Sequence, residues 1–184
     1  MTQSFTIKVF FRGDWCPWCN AQLRDFNDAQ DRVQALGGQV VAYTSQAGNQ
    51  SKANNNLKFD VIVDEDNAEA KRHDIFITPQ ADNPVAAALP ELYPNGMVQP
   101  GIVIEDTAGR VLYRWAIVPS EMNIGGAKDR PLVSEIVGAL EQILAGGEVP
   151  ENFEVMEVDH LEAHHPDMHQ KVLDYFATME AQKA

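Results

Sequence analysis

Two cysteines, Cys16 and Cys19, are the only ones in the chain, and the segment that holds them reads Trp15-Cys16-Pro17-Trp18-Cys19. A pair of thiols at this spacing can close into a disulfide and open again, which is the chemistry of thiol–disulfide exchange. The alternative is half of a zinc site, which requires a second Cys or His pair at ligand spacing. The proline between the cysteines favours the redox interpretation. The sequence therefore predicts a redox-active dithiol without a metal or another cofactor.

The residues on either side predict that the dithiol lies at the start of a helix. An apolar stretch over about residues 6–12 is typical of a buried strand, and a helical pattern follows over about residues 17–36. The N-terminus of a helix presents unpaired N–H groups and the positive end of the helix dipole, which favour thiolate over thiol. Because thiolate is the reactive form, Cys16, at the helix cap and more open to solvent, is the better nucleophile. Cys19 would then attack the mixed disulfide and release the product.

The chain up to about residue 148 alternates strands and helices around one long insertion. The predicted elements are strands over 39–44 and 58–64, a helix over 67–74, an insertion over 77–97, strands over 101–105 and 110–117, and a helix over 131–144. His73 is expected at the end of a surface helix. This order predicts an α/β fold, with a mixed β-sheet flanked by helices on both faces. The first two strands should be parallel, joined by a right-handed crossover.

The last part of the chain predicts a helical appendage. We expect residues 1–148 to form the redox domain and residues 149–184 to form a C-terminal extension with an amphipathic helix. Apolar residues recur at helical spacing in that helix: Met168, Val172, Tyr175, Phe176 and Met179. Such a face most often packs on its own domain. A contact with a second subunit, which would give a homodimer, is the alternative.

Composition and charge exclude several classes of partner. The 184 residues are 45% hydrophobic, which is typical of a globular domain, and carry a formal net charge of −13. Nucleic acid and anionic membrane surfaces would repel such a chain. The sequence has no apolar segment long enough to cross a bilayer and no signal-peptide pattern at its N-terminus. Since it also has no cysteines for structural disulfides, we expect a cytoplasmic protein.

The segment around the dithiol resembles a known family. Residues 10–23, FFRGDWCPWCNAQL, are similar to the signature of bacterial peroxiredoxin-like proteins of the alkyl hydroperoxide reductase and thiol-specific antioxidant (AhpC/TSA) group. Residues 101–111, GIVIEDTAGRV, also resemble the hairpin of that family. The resemblance implies a thioredoxin-like fold and a substrate that is a hydroperoxide or a disulfide. It also implies an external thiol reductant of the thioredoxin or glutathione type.

The resemblance assigns roles to residues outside the dithiol. Pro100 matches the cis-proline that borders the dithiol in this superfamily, and Gln99 before it would present its backbone to the substrate. Arg130 resembles the arginine that peroxiredoxins direct at the reactive thiolate, whose charge a guanidinium stabilises. In the alternative interpretation Arg130 caps the preceding loop or pairs with Asp129 or Glu135.

The family pattern also reverses the roles of the two cysteines. Peroxiredoxins carry a threonine three residues before the peroxidatic cysteine. Aligned in this way, Cys19 takes the peroxidatic position, and Cys16 replaces the threonine and resolves the sulfenic acid. Either assignment ends in a Cys16–Cys19 disulfide that an external reductant must open. The sequence leaves both assignments open.

Substrate contacts are predicted to come from residues around the dithiol: Trp15, Pro17, Trp18, Gln99, Pro100, Arg130 and Arg12. Trp15 and Trp18 have two interpretations, as rings that contact the substrate or as large aromatics that cover the core. The structural role is favoured for Trp15, and neither role is favoured for Trp18. Arg12 would support a nearby thiolate, and Asp14 would oppose it.

A histidine-rich segment precedes the last helix. His160 with His164, and His165 with His169, are spaced so that each pair could share one helical face and bind a metal. Pro166 interrupts that helix, and the sequence contains no His-Glu-x-x-His motif. The favoured interpretation is a solvated polar linker.

Three hypotheses for the function follow. The first is a peroxiredoxin-like thiol oxidoreductase that reduces hydroperoxides or protein disulfides through Cys16 and Cys19. The second is a general thioredoxin- or glutaredoxin-like disulfide reductase without peroxidase activity. The third, from a different class, is a non-catalytic interaction module that recruits a partner through residues 77–97 and the C-terminal helix.

Overall fold

The computed structural model describes residues 4–117 and 129–181. The described residues contain seven strands: β1 (Phe5–Phe10), β2 (Gly38–Thr44), β3 (Asp60–Val63), β4 (Ile77–Thr78), β5 (Met97–Val98), β6 (Gly101–Asp106) and β7 (Val111–Ala116). They also contain eight α-helices: α1 (Pro17–Asp28), α2 (Gln30–Ala35), α3 (Ser51–Asn54), α4 (Ala68–Arg72), α5 (Pro84–Ala88), α6 (Val133–Leu144), α7 (Val158–His164) and α8 (Pro166–Ala181). None of these helices combines the length and the apolar character needed to span a bilayer.

Five strands form a mixed sheet in the order β3-β2-β1-β6-β7. The central strand β1 runs parallel to β2 and antiparallel to β6. Its odd-numbered residues Phe5, Ile7 and Val9 are buried in the main core, together with residues of α1 and α6. Phe10 points to the opposite face, where it packs with Ala70 of α4. Helices therefore cover both faces of the sheet, and the predicted thioredoxin-like α/β fold is confirmed.

The helix predicted over residues 17–36 is in fact two helices, α1 and α2, which meet at Ala29. The N–H of Ala29 bonds to the carbonyls of both Asn27 and Asp25. The ψ of −5° at Ala29 departs from α-helical geometry, so α1 ends there and α2 begins at Gln30. The predicted end of the segment is confirmed, since Gly37 follows α2 with a φ of +86°.

The insertion over residues 77–97 has more structure than the sequence indicates. Strands β4 and β5 pair across its two ends as a small antiparallel sheet. Between them lie α5 and two short 3₁₀ turns, Gln80–Asp82 and Pro90–Leu92. Tyr93 is buried here and packs with Ala86 and Met97 in a separate small core. The insertion is therefore a folded unit whose Tyr93 reaches the dithiol region, as described below.

The C-terminal extension packs against α1 and joins the main core. Buried apolar side chains from α7, α8 and the segment before them belong to that core: Met156, Leu161, Met168 and Val172. An ion pair of 2.7 Å between Arg24 of α1 and Asp167 of α8 joins the same two helices. The domain boundary near residue 148 stays a prediction, and the residues beyond it share the core of the sheet.

The apolar face predicted on the last helix is divided. Met168 and Val172 are buried against the protein, whereas Leu173, Tyr175 and Phe176 of α8 are exposed. The side chain of Met179 lies outside the described residues. Packing on the same chain therefore accounts for the first half of the predicted face, and a homodimer contact stays a prediction.

A partly buried ionic cluster links β1, α4 and β6 on the second face of the sheet. The Lys8 ammonium bonds to Glu69 Oε1 at 2.6 Å and to Glu105 Oε2. Arg72 holds the Glu105 carboxylate in a two-bond fork, with distances of 2.7 and 2.8 Å. His73, expected at an exposed helix end, is buried and within 3.3 Å of Lys8 Nζ. The expectation for His73 is wrong because α4 lies on the sheet and directs its last turn inward.

This cluster should make stability depend on acid pH. Hydrogen bonds from Arg72 and Lys8 hold the pKa of Glu105 at about 2, well below its ordinary value. A carboxylate with a lowered pKa in the folded state adds stability above its unfolded pKa, and this stability is lost as the pH falls. We expect Glu105→Gln to lower the free energy of unfolding by about 1–3 kcal/mol at pH 7. The difference from the wild type should shrink between about pH 4.5 and pH 2.

Urea unfolding at several pH values measures this difference. Glu141→Gln is the matched control, because Glu141 pairs with Arg32 at the exposed surface. We expect a much smaller effect on the pH dependence than from Glu105→Gln, because the hydrogen bond from Arg32 that lowers the pKa of Glu141 lies at the exposed surface, where ion pairs contribute little. A Glu105→Gln penalty that is equally large at pH 2.5 and pH 7 would contradict the ionic explanation.

Candidate active site

The central strand carries the chain to the dithiol, and Cys16 caps the helix that follows. The backbone of Cys16 is extended, and its Sγ accepts a hydrogen bond from the Cys19 N–H at 3.3 Å. Pro17 occupies the first helical position, where its missing N–H would have no partner in any case. The dithiol thus lies at the N-terminus of α1, where the helix dipole favours a negatively charged sulfur.

The sulfur atoms of Cys16 and Cys19 are joined in a disulfide, with the two Cα atoms 5.2 Å apart. Cys16 is 2% exposed and Cys19 is fully buried. The order of exposure agrees with the sequence-based expectation, but Cys16 is far less open than expected. The reason is that both sulfurs lie in the main core with Phe11 and Trp18. A partner can therefore reach the disulfide only from the Cys16 side or after a local movement.

Arg130 reaches the dithiol from the segment before α6. Its side chain is fully buried, and Nη2 lies 3.3 Å from Cys19 Sγ and 3.9 Å from Cys16 Sγ. Nη1 donates to Gln22 Oε1 at 3.1 Å, which fixes the plane of the guanidinium. The structure thus brings Arg130 to the sulfurs, as the family resemblance implies.

Among the residues that the structure describes, no carboxylate is paired with the charge of Arg130. No carboxylate is among the groups that shift the pKa of Arg130, which argues against pairing with Glu135. Burial, together with the nearby charge of Arg12, lowers the pKa of the Arg130 guanidinium well below its usual range. A buried cation in this situation is stabilised by any anion that forms beside it. Reduction of the disulfide would generate such an anion, a thiolate, at 3.3 Å.

Arg12 lies at the edge of the site. Its guanidinium bonds to a side chain just after the insertion rather than to a sulfur atom. Its Nε donates to Gln99 Oε1 at 2.9 Å, and Gln99 Nε2 donates to Thr78 Oγ1 at 2.8 Å. Burial lowers the pKa of Arg12 to about 10. The structure therefore places Arg12 and Gln99 together, with the side chain of Gln99 orienting the guanidinium.

The match of Pro100 to a cis-proline is wrong. No peptide bond among the described residues is cis, so the Gln99–Pro100 bond is trans. Pro100 leads directly into β6, and its carbonyl accepts the N–H of Ile117 at 3.0 Å, which extends the β6–β7 hairpin. The N–H of Gln99 bonds to the carbonyl of Phe76 at 2.8 Å. Gln99 was expected to present its backbone to a substrate, and the N–H of that backbone is already occupied.

The two tryptophans beside the cysteines lie in different environments. Trp15 is 37% exposed, and its Nε1 donates to the hydroxyl of Tyr93 at 2.7 Å. Trp18 is buried in the main core. The structure thus differs from the favoured interpretation of Trp15 as a core-covering ring, and it places Trp18 in the core instead. Trp15 is the exposed ring next to Cys16.

Tyr93 is a site residue that the sequence did not reveal. Its hydroxyl accepts from Trp15 and donates to the carbonyl of Arg12 at 3.1 Å, so it joins the insertion to both ends of the loop before the dithiol. Gly13 leaves the space for this contact: a Cβ there would lie 2.6 Å from the Tyr93 hydroxyl and 2.6 Å from Gln46 Oε1. The tyrosine is about 80 residues away along the chain, in a proline-rich segment without a recognisable motif.

The carboxylate of Asp14 is held by the loop after β2. Gln46 Nε2 donates to Asp14 Oδ1 at 2.8 Å, and the N–H of Gln50 donates to Oδ2 at 3.1 Å. Within the described ranges, no hydrogen bond joins Asp14 to either sulfur. Its predicted opposition to the thiolate is therefore offset by two local donors.

The histidine-rich segment does not form the predicted solvated linker. His165 is 4% exposed, and its Nε2 lies 2.7 Å from Asp25 Oδ1. His160 Nε2 lies 2.9 Å from Asp25 Oδ2. The prediction is wrong because Pro166 starts α8 as a separate helix, and the break turns His165 inward onto α1. Asp25 lies 135 residues before His160 in the chain, and no sequence pattern around it indicates this contact.

Comparisons with known proteins agree with this geometry. The family model described as "AhpC/TSA family" matches residues 2–114. The chain belongs to the AhpC/TSA family. A search of curated proteins finds no match. The family match covers the dithiol, the insertion and most of the hairpin, whereas Arg130 and the C-terminal extension of this AhpC/TSA protein lie beyond it.

Solved structures share the fold of this AhpC/TSA protein at low identity. The bacterioferritin comigratory protein of Xanthomonas campestris is 14% identical, with 78% of this chain and 82% of that chain covered and a TM-score of 0.55. AhpC of Enterococcus faecalis is 17% identical, with 81% and 82% covered and a TM-score of 0.55. A conserved protein from Geobacillus kaustophilus is 18% identical, with 84% and 74% covered and a TM-score of 0.54.

These findings establish the general class of activity. As a member of the AhpC/TSA family with a Cys16–Cys19 disulfide, the protein is an enzyme of the thiol peroxidase and thiol-disulfide oxidoreductase class. Proteins of this family act on peroxides and use thiol reductants. The interaction module without catalysis is therefore the least supported of the three hypotheses.

Proposed function

We propose that the protein is a thiol peroxidase in which Cys19 attacks the hydroperoxide and Cys16 resolves the product. The observation that carries this assignment is the buried Arg130 guanidinium, which lies closer to Cys19 Sγ, at 3.3 Å, than to Cys16 Sγ, at 3.9 Å. A positive charge at this distance favours the thiolate over the thiol. The Xanthomonas campestris protein of the same fold is described as having alkyl peroxide reduction activity, which supports peroxide as the substrate class.

The first step oxidises the sulfur and reduces the peroxide. The Cys19 thiolate attacks the terminal oxygen of the hydroperoxide, so that an S–O bond forms and the O–O bond breaks. The alkoxide that leaves takes up a proton and becomes an alcohol, and Cys19 becomes a sulfenic acid. Arg130 can donate to the reacting sulfur and, with Arg12 near the site, stabilises the negative charge that moves onto the leaving oxygen.

The second step forms the disulfide that the structure contains. Cys16 attacks the sulfur of the Cys19 sulfenic acid, the S–S bond forms, and hydroxide leaves as water after protonation. An external thiol then attacks the disulfide at Cys16, the more exposed sulfur, and Cys19 leaves as a thiolate beside Arg130. Leaving groups of this kind depart faster when their thiolate is stabilised. A second thiol of the reductant attacks the mixed disulfide at the reductant's sulfur, so that Cys16 is released as a thiol and the reductant leaves as a disulfide. The cycle therefore needs a thiol reductant, which fits a reducing compartment such as the cytoplasm.

A second candidate function is disulfide reduction without peroxidase activity. It is favoured by the helix cap, because Cys16 Sγ accepts the Cys19 N–H at 3.3 Å and is the more exposed sulfur. In this function Cys16 attacks the substrate disulfide, and Cys19 attacks the resulting mixed disulfide. The two functions share the same final disulfide and differ in which sulfur reacts first.

Stopped-flow oxidation of the fully reduced protein tests the proposal. Trp15 and Trp18 adjoin the cysteines and supply the fluorescence signal. A free thiol is only a few per cent thiolate at pH 7, so a stabilised thiolate should react with hydrogen peroxide or cumene hydroperoxide roughly 20-fold faster or more than free cysteine. Mass spectrometry should then find the Cys16–Cys19 disulfide as the product.

A disulfide substrate provides the comparison. Reduction of insulin disulfides by the same reduced protein is measured in parallel. A peroxide reaction no faster than that of free cysteine, together with rapid insulin reduction, would establish the second function and remove the first. Slow reaction with both substrates would contradict both.

A further inference from the structure

We propose that Asp25, His160 and His165 form a binding site for one divalent transition-metal ion of the zinc class. We call these three residues the carboxylate–histidine group. One oxygen or nitrogen of each residue lies within 4.8 Å of the others. Two imidazole nitrogens and a carboxylate oxygen are ligands that zinc accepts, with a water molecule in the fourth position. This inference is independent of the peroxidase chemistry.

The geometry of the group needs little change to hold an ion. The Nε2 atoms of both histidines already face the two oxygens of Asp25, at 2.9 and 2.7 Å. Ligand bonds of about 2.0–2.2 Å at tetrahedral angles place ligand atoms roughly 3.4 Å apart. Small rotations of the side chains would open this space. His160 is only partly buried, so the fourth position can be reached from solvent.

Charge also favours a cation in this group. No lysine or arginine of the described residues pairs with Asp25, whose carboxylate oxygens each face one imidazole nitrogen. A divalent ion would offset the negative charge of the Asp25 carboxylate in this partly buried place. The net charge of the whole chain, −13, attracts cations to its surface as well.

A second cluster of similar composition shows the contrast. Glu69, His73 and Glu105 also bring three ligand atoms within 4.8 Å of one another. There, however, the Lys8 ammonium bonds to both carboxylates, and Arg72 does so too. Side-chain cations already neutralise that cluster. Of the two groups found among the described residues, only the carboxylate–histidine group has no lysine or arginine paired with its carboxylate.

The position of the group defines what the ion would do. Asp25 lies near the end of α1, nine residues after Cys16, which corresponds to about 13 Å along the helix axis. This distance excludes direct contact with the sulfurs. The two histidines come from α7 and from the break between α7 and α8. An ion would therefore clamp the C-terminal extension onto the helix that starts at the dithiol.

Titration with zinc and cobalt tests the proposal. The protein carries Cys16→Ser and Cys19→Ser, so that the dithiol cannot act as a ligand. We expect one zinc ion per chain by calorimetry, and a tetrahedral cobalt absorption spectrum. With free zinc about 100-fold above its dissociation constant, the melting temperature should rise by roughly 5–10 °C and fall back with a chelator.

Single variants in the same background locate the site. Asp25→Asn, His160→Gln and His165→Gln should each weaken zinc binding at least tenfold and remove the rise in melting temperature. His169→Gln is the matched control, on α8 but outside the group, and should bind zinc as the parent does. Circular dichroism of each variant without metal checks that it is folded.

Two outcomes would overturn the proposal. The first is no zinc-dependent change in heat, spectrum or melting temperature, which would make the group a hydrogen-bonded cluster only. The second is binding that survives His165→Gln but is lost in His164→Gln. That result would assign the ion to the partly buried His160 and the exposed His164, whose rings lie 4.6 Å apart.

Discussion

Replacement of Cys19 by serine is expected to abolish the fast reaction with peroxide, whereas replacement of Cys16 by serine should leave its first step in place. The reason is that Arg130 lies 3.3 Å from Cys19 Sγ and 3.9 Å from Cys16 Sγ, so Cys19 has the better stabilised thiolate. In the Cys16→Ser protein, Cys19 should be oxidised to a sulfenic acid that accumulates, because no second thiol resolves it. Stopped-flow kinetics and trapping with dimedone measure both effects.

The reverse pattern identifies the other mechanism. If Cys16 carries the dimedone adduct and Cys19→Ser keeps the fast step, the helix cap decides reactivity and the disulfide-reductase assignment of the cysteines is correct. Each variant retains one thiol, so the two can be compared under identical conditions. The double Cys16→Ser, Cys19→Ser protein gives the background rate.

Arg130→Met is expected to slow peroxide oxidation roughly 10- to 100-fold while the disulfide form stays at least as stable as the wild type. The first effect follows because an opposite charge beside an ionisable group raises the ratio of its charged form to its neutral form by a factor of about 10 or more. The second follows because, in the oxidised protein, no carboxylate is among the groups that shift the pKa of this buried guanidinium. A methionine of similar length fills the space without a charge to desolvate.

Two further variants separate charge from packing. Arg130→Lys keeps the charge and should recover part of the rate. Arg32→Met, at the exposed pair with Glu141, should change neither the rate nor the stability. Urea unfolding of the oxidised proteins and stopped-flow oxidation of the reduced ones supply the measurements. A rate unchanged in Arg130→Met would show that the guanidinium does not act on the reacting sulfur.

The parts of the fold that follow from local patterns were predictable from the sequence. Phe5, Ile7 and Val9 alternate along β1 and fill one face of the sheet, and Gly37 ends the helical segment with the positive φ that glycine allows. The cysteine spacing and the proline after Cys16 predicted the helix cap. These features depend on residues that are close in sequence, so periodicity and capping rules describe them.

The contacts that could not be predicted join distant segments. Tyr93 meets Trp15 across 78 residues, and His165 meets Asp25 across 140. The two residues of each pair are too far apart in sequence to belong to one motif, and only the tertiary fold brings them together. The cis-proline assignment for Pro100 was wrong for a related reason. It was transferred from a family position, whereas the bond geometry depends on how this chain enters β6.

The cation beside the sulfurs lies outside the stretch by which the family is recognised. The family match ends at residue 114, and Arg130 stands sixteen positions later, after the central sheet is complete. A shortened version of the chain that stops at the recognisable sequence would keep both electron-carrying sulfurs and lose the charge that tunes them. Expression boundaries for this protein should therefore be chosen from its tertiary contacts rather than from sequence similarity.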